Sequence, residues 1–136
     1  MNKIFCSILL SLFSLHAVSG IAVIVHPDNG DSLDKKSISN LYLGKTKKFP
    51  GGAQAIPINL EERQVNRGEF DSTVLGKSSS QLKSYWSKKV FTGKGTPPKE
   101  FANDDEVIKL VSSNPNIIGY IDSSKVNDTV KVVAEF

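Results

Sequence analysis

The chain has 136 residues and a mildly basic balance, 17 Lys and Arg against 14 Asp and Glu, with two histidines and one cysteine. So few histidines and cysteines exclude a multi-histidine metal centre or a zinc finger. The lysines are spread along the chain, without the concentrated basic footprint of a nucleic-acid binder.

Residues 1–20 read as a cleavable secretory signal. Lys3 gives a short positive start, "IFCSILLSLFSL" is the apolar run, and "HAVSG" supplies small residues for cleavage after Ser19 or Gly20. The run is short for a membrane span and no stop-transfer pattern follows, so no stable membrane insertion is expected. Cys6 lies inside the apolar run with no small residues before it, which excludes a lipoprotein reading. The expected product is periplasmic or secreted: residues 21–136 as one domain, large enough for a single core. Cleavage removes Cys6 and His16, so no disulfide or thiol chemistry remains, and the net charge falls by one unit from +3. A Ser-His-Asp triad would have to use His26, and no serine lies in a G-x-S-x-G elbow. The carboxylate pairs Glu61–Glu62 and Asp104–Asp105 are adjacent in sequence and therefore point apart. No enzyme activity, cofactor or metal is expected.

In chain order, "IAVIVHP" is a β-branched run closed by proline and reads as a strand from Ile21 to His26, buried on both faces. "DNGDS" is a turn. "LDKKSISNLYLG" places Leu33, Ile38, Leu41 and Tyr42 close to helical spacing, with Gly44 as the stop. "KTKKFPGG" is a loop carrying Lys45, Lys47 and Lys48. "AIPINL" is the second strand, and Pro57 puts it at a sheet edge or at the start of its pairing. A helix from Gln64 to Leu75 follows, stopped by Gly76. "KSSSQLKSYWSKKVF" is a helix capped by Ser79 or Ser80. Leu82, Tyr85, Trp86, Lys89 and Val90 lie on its inner stripe and border, a spacing that reads as core rather than a ligand cage. In "FTGKGTPP" the lysine sits between glycines and prolines follow, unlike the G-x-x-x-x-G-K-[ST] of a P-loop. It reads as a rim loop from which Lys94 adds positive field near a bound anion. "NDDEVIKLVSSNP" is a helix capped by Asn103 or Asp104, with Val107, Ile108, Leu110 and Val111 inward. "NIIGYID" and "TVKVVAEF" are the closing strands. This alternation predicts an α/β sheet with ligands bound beyond the carboxyl ends of its strands.

Both arginines of the chain, Arg63 and Arg67, fall in "IPINLEERQVNRGEF", between the second strand and a helix N-terminus. Arginine offers a rigid fork of donors that fits an oxyanion in two-point contact. Free backbone N–H groups and the helix dipole favour an anion at the same place. Two readings stand side by side. Arg67, with Arg63 one turn earlier, contacts an oxyanion; or the pair binds Glu62, Glu69 or Asp71 on a solvated face, worth tenths of a kcal/mol per pair. His26 reads as a structural or rim residue; with Ser32 it is the first loop's contribution to such a site.

The succession "SLDKKSISNLYLGKTKKFP", "IPINL", "NRGEF" and "NPNIIGYID" resembles the second lobe of the periplasmic phosphate-binding proteins of ABC transporters. In that family a short helix ends in a Leu-Gly-Lys-like turn, and a Pro-x-x-Ile-Gly-Tyr segment forms a strand. "VLGKSSSQLKSYWSKKVFTGKGTPPKEF" is similar to short exported single-lobe proteins labelled phosphate-binding-like. The resemblance covers nearly all of residues 21–136. It implies a single lobe of a type II periplasmic-binding-protein-like fold, α/β, with a mixed sheet flanked by helices. It also implies a non-enzymatic binding module for phosphate or another oxyanion, with Arg67, Arg63, Ser32, His26 and Lys94 as candidate ligands. Two departures accompany it. A pair of such lobes needs roughly 250 residues. The family's ligand loop reads Ser-Gly-Thr or Gly-Ser before an arginine or threonine; here Arg63-Gln64 stand there, Arg67 matches the arginine, and the permissive glycine is missing. Glu61, Glu62 and Glu69 place negative charge nearby. The alternative is therefore a ligand-free periplasmic interaction or assembly component, marked by an exposed apolar patch or by self-association.

Overall fold

The computed structural model describes residues 20–136. The expected signal segment, apart from Gly20, lies outside the described residues. Five strands form one mixed sheet: β1 (Ile21–Val25), β2 (Ile56–Leu60), β3 (Lys99–Phe101), β4 (Ile117–Asp122) and β5 (Lys131–Glu135), in the order β3-β2-β4-β1-β5. β2 is parallel to β3 and β4, whereas β1 is antiparallel to β4 and β5. β1 thus runs against the other four. The carboxyl ends of β2 to β5 gather beside Ile21, which faces Asp122, while Val25 lies at the opposite end beside Ile118 and Lys131.

Four helices accompany the sheet, α1 (Lys35–Tyr42), α2 (Val65–Phe70), α3 (Ser79–Phe91) and α4 (Asp104–Ser113); α1, α2 and α4 pack on its strands, and α3 is tied to Leu43 at the end of α1. Asp34 caps α1 by accepting from the Ser37 N–H at 2.7 Å, and Asn103 caps α4 by accepting from the Glu106 N–H. Every residue of β1 is buried, as its unbroken apolar run requires of a strand with helices over both faces. Tyr42, Phe70 and Tyr120 form an aromatic knot in the core, with the rings of Phe70 and Tyr120 stacked at 3.9 Å. The Tyr42 hydroxyl donates to the Ile58 carbonyl at 2.7 Å, satisfying its polar end inside the core. Gly119 lets α4 lie close on β4: a Cβ there would stand 2.6 Å from Val107 Cγ1.

The structure departs from the sequence expectations at several points. β1 ends at Val25, and His26 turns the chain by accepting the Asp28 N–H on Nδ1. β2 is interior, with β3 outside it, so of the two readings of Pro57 the edge position fails and the strand start holds, β2 meeting β4 only at Ile56 and Pro57. The expected helix 64–75 divides into α2 and a π-helical turn, Asp71–Leu75, closed by Gly76 at φ +63°. The cap of α3 is Ser78, not Ser79 or Ser80. Its hydroxyl accepts from the Gln81 N–H while the Gln81 side chain accepts from the Ser78 N–H, a reciprocal capping box. Of the expected inner stripe of α3 only Leu82 is fully buried; Tyr85 and Trp86 are half-buried, and Val90 is 52% exposed. No described helix is long and apolar enough to cross a membrane.

Candidate functional site

β2 delivers the chain to the strand-end side of the sheet at Leu60, and α2 begins five residues later. Arg67 lies one turn into α2, so its side chain folds back over the end of β2. Its Nη1 donates to the Leu60 carbonyl at 2.7 Å and to Glu100 Oε2, on the adjacent end of β3, at 2.9 Å. Its Nε donates to Asp71 Oδ2 at 2.9 Å. The Arg67 and Asp71 side chains are 12% and 5% exposed, so this pair lies inside the protein rather than on the solvated face that sequence suggested. Glu62 and Glu69 do not join it.

Burial works against the charge on Arg67, but Asp71, Tyr120 and Glu100 outweigh it and hold the guanidinium pKa above its ordinary value. Asp71 is pushed above the usual carboxylate range by burial, which the Arg67 charge and hydrogen bond offset in part. Beneath the pair, Tyr120 has its phenol pKa raised by burial, and its hydroxyl bonds Asn59 Oδ1. A cavity of about 110 Å³ opens beside Arg67 and Asp71, bounded by Glu62, Lys77, Ser78 and Ser79.

The other candidates are elsewhere. Arg63 is exposed and its Nε donates to Glu61 Oε2 at 2.7 Å. It shares the strand-end side with Arg67 but binds its own carboxylate. His26 and Ser32 follow β1, whose reversed direction carries them to the opposite end of the sheet. Lys94 is exposed in the loop before β3, where it lines a cavity of about 300 Å³ with Lys47, Trp86 and Lys89. The five residues therefore do not converge. Sequence reasoning missed Glu100, whose role depends on β3 pairing beside β2. It also missed the lysine-lined cavity beside Trp86, which is formed by loops nearly fifty residues apart. No group of three or more His, Cys, Asp or Glu among the described residues could hold a metal ion.

At the start of α2, Gln64 supplies no side-chain cap and its Nε2 donates to the Ala102 carbonyl, while Val65 is 78% exposed. Electrostatically, the buried guanidinium already faces two carboxylates. An incoming dianion would meet the negative charge of Glu100 and Asp71 beside that guanidinium.

No protein-family model and no curated protein matches the chain. Solved structures do. A phosphate ABC transporter substrate-binding protein from Clostridium perfringens with bound phosphate superposes at a TM-score of 0.68 with 25% identity. A phosphate transport receptor from Vibrio cholerae gives 0.66 at 17% identity, and PstS from Borrelia burgdorferi 0.64 at 13%. Each match covers 85% of this chain, which in turn spans 44%, 45% and 47% of those proteins' lengths. With a mixed five-stranded sheet flanked by helices and this likeness over nearly half of each two-fold longer protein, the chain has the fold of one lobe of the PstS-like phosphate ABC transporter substrate-binding proteins.

Proposed function

We propose that the chain is a non-enzymatic, exported binding module of the phosphate-binding-protein type whose strand-end site is closed by its own carboxylates. It works as an interaction component rather than by holding free phosphate. The observation that carries this reading is the arrangement around Arg67: Asp71 and Glu100 both lie 2.9 Å from its guanidinium, and Nη1, which donates to Glu100, also donates to the Leu60 carbonyl. One buried positive charge between two negative ones leaves a net negative site, which repels an oxyanion. The neighbouring Arg63 is likewise matched by Glu61.

A second reading, phosphate or another oxyanion bound at Arg67, is favoured by the likeness to the Clostridium perfringens structure, which contains phosphate. The experiment that separates the two is calorimetric titration with phosphate, and with sulfate as competitor, at low ionic strength. It compares the wild-type protein with Glu100→Gln. Glu100 is 47% exposed, so the variant folds, and it returns one face of Arg67 to the solvent. The interaction reading expects no saturable heat from the wild type at millimolar phosphate, and binding that emerges or strengthens in Glu100→Gln. Saturable wild-type binding that sulfate displaces would replace it with the oxyanion reading.

A further inference from the structure

The stretch from Ser72 to Lys99 contains six lysines and no aspartate or glutamate. It runs from the π-helical turn through α3 and the loop that follows to the first residue of β3. Along α3, Lys83, Trp86, Ser87 and Val90 recur at helical spacing on one face and, with Phe91 and Pro97, line one shallow depression open to solvent. Phe91 is 91% exposed at the end of the helix, and Val90 beside it is 52% exposed. Lys88 and Lys94 flank this apolar tip and make no ion pair among the described residues, nor does Lys47 across the adjoining cavity. One carboxylate reaches the face: Glu62, 3.5 Å from Lys83. Lys89 donates to the Leu43 carbonyl and lies over the Tyr85 and Trp86 rings, fixing the indole at the border between the packed and exposed sides.

We propose that this face, with Phe91 at its tip and the lysines around it, is a docking surface for an anionic lipid bilayer. Exposed aromatic and aliphatic side chains ringed by lysines match the chemistry of an interfacial helix, whose apolar residues enter the headgroup boundary while long lysine stems keep their charges at the phosphates. The indole sits where aromatic belts lie, at the level between water and acyl chain. Three features favour lipid over an acidic protein. The apolar tip projects into solvent, whereas protein hot spots lie in well-packed, desolvated pockets. The positive charges are all lysine, the residue depleted from protein interfaces, and the chain's two arginines are committed to Glu61, Asp71 and Glu100 at the strand ends. Lysine ammonium groups are mobile point charges that suit a fluid layer of phosphates better than a fixed two-point partner. The proposal stands whether or not an oxyanion binds at Arg67.

The test is co-sedimentation of the protein with vesicles of phosphatidylcholine alone or mixed with phosphatidylglycerol, read together with the fluorescence of Trp86, the only tryptophan. Expected are binding to the anionic vesicles alone, loss of binding at high salt, and a blue shift of the Trp86 emission. Phe91→Ser and the double variant Lys88→Glu/Lys94→Glu alter exposed positions and should each lower the partition coefficient about tenfold or more. Equal binding to neutral vesicles, or binding indifferent to Phe91→Ser, would overturn the proposal and move any membrane contact to another part of the chain. It would equally be overturned if polyglutamate shifted the Trp86 emission and anionic vesicles did not, which would assign the face to an acidic polypeptide.

Discussion

Asp71 places one carboxylate oxygen, Oδ2, on Arg67 and leaves the other, Oδ1, buried without a hydrogen-bond partner. A half-satisfied buried carboxylate depends strongly on its counter-ion, so Arg67→Ala is expected to destabilise the protein by about 3–5 kcal/mol. Replacing both partners with apolar residues, as in Arg67→Met/Asp71→Leu, is expected to cost far less, because no charge is then stranded. Urea denaturation of the two variants checks the contrast; equal losses would mean that the pair's charge is not what matters. The same burial gives a pH signature. The folded-state pKa of Asp71 lies above its ordinary 3.8, so the folded protein holds this proton more tightly than the unfolded chain does. Its stabilising contribution is complete below the unfolded pKa and is lost as pH rises through the folded one. Asp71→Asn lacks that titration. The stability of wild type relative to Asp71→Asn should therefore grow as pH falls from neutrality into the range just above 3.8. Urea midpoints across that range test it, and a flat difference would show that Asp71 titrates as it does in the unfolded chain.

Elements differ in how much of their structure is written locally. β1 and β4 were legible because an unbroken apolar run has few other places to go, α1 from the spacing of Leu33, Ile38, Leu41 and Tyr42, and α4 because Asn103 carries capping chemistry in the sequence itself. The α3 cap was read one or two residues late, at Ser79 or Ser80, although only Ser78 stands three residues before Gln81 at the capping-box spacing. Ser78→Ala should cost about 1 kcal/mol, seen as a lower thermal midpoint, and Ser80→Ala much less. β3 was not legible. Its three residues, Lys99, Glu100 and Phe101, have no strand pattern of their own and are held by parallel pairing to Ile58, Asn59 and Leu60. The candidate site inherits that opacity: Glu100 reaches Arg67 only because β3 lies beside β2, and His26 is separated from both because β1 runs the other way. Gly119 shows the same dependence on tertiary context. Its value is the room it leaves for Val107 and Val111, so Gly119→Ala is expected to cost about 1–3 kcal/mol through overpacking between α4 and β4. A Val107→Ala background should recover part of that loss.

At the scale of the molecule, burial is distributed unevenly. The sheet, α1, α4 and the segment through Phe70 and Val74 supply the large buried side chains, while α3 contributes Leu82 to the fully buried set. α3 is otherwise held by the Tyr85 hydroxyl and Lys89 ammonium, which both donate to the Leu43 carbonyl, and by the Trp86 indole against Gly44. Local stability follows buried apolar contact, so the helix with the least of it opens first. The 13 residues of α3 are too few to stay helical alone, and detachment from Leu43 would also melt them. Native-state hydrogen exchange is expected to show the α3 amides exchanging through a local opening, with protection well below that of β1 and β4. Leu82→Ala should accelerate exchange in α3 far more than in the sheet. The positive, apolar side of the protein is thus also its most loosely attached part, and a partner that fastens it adds protection there first. If α3 and β1 instead exchange in one global event, α3 belongs to the cooperative core, and its exposed face is rigidly presented rather than adaptable.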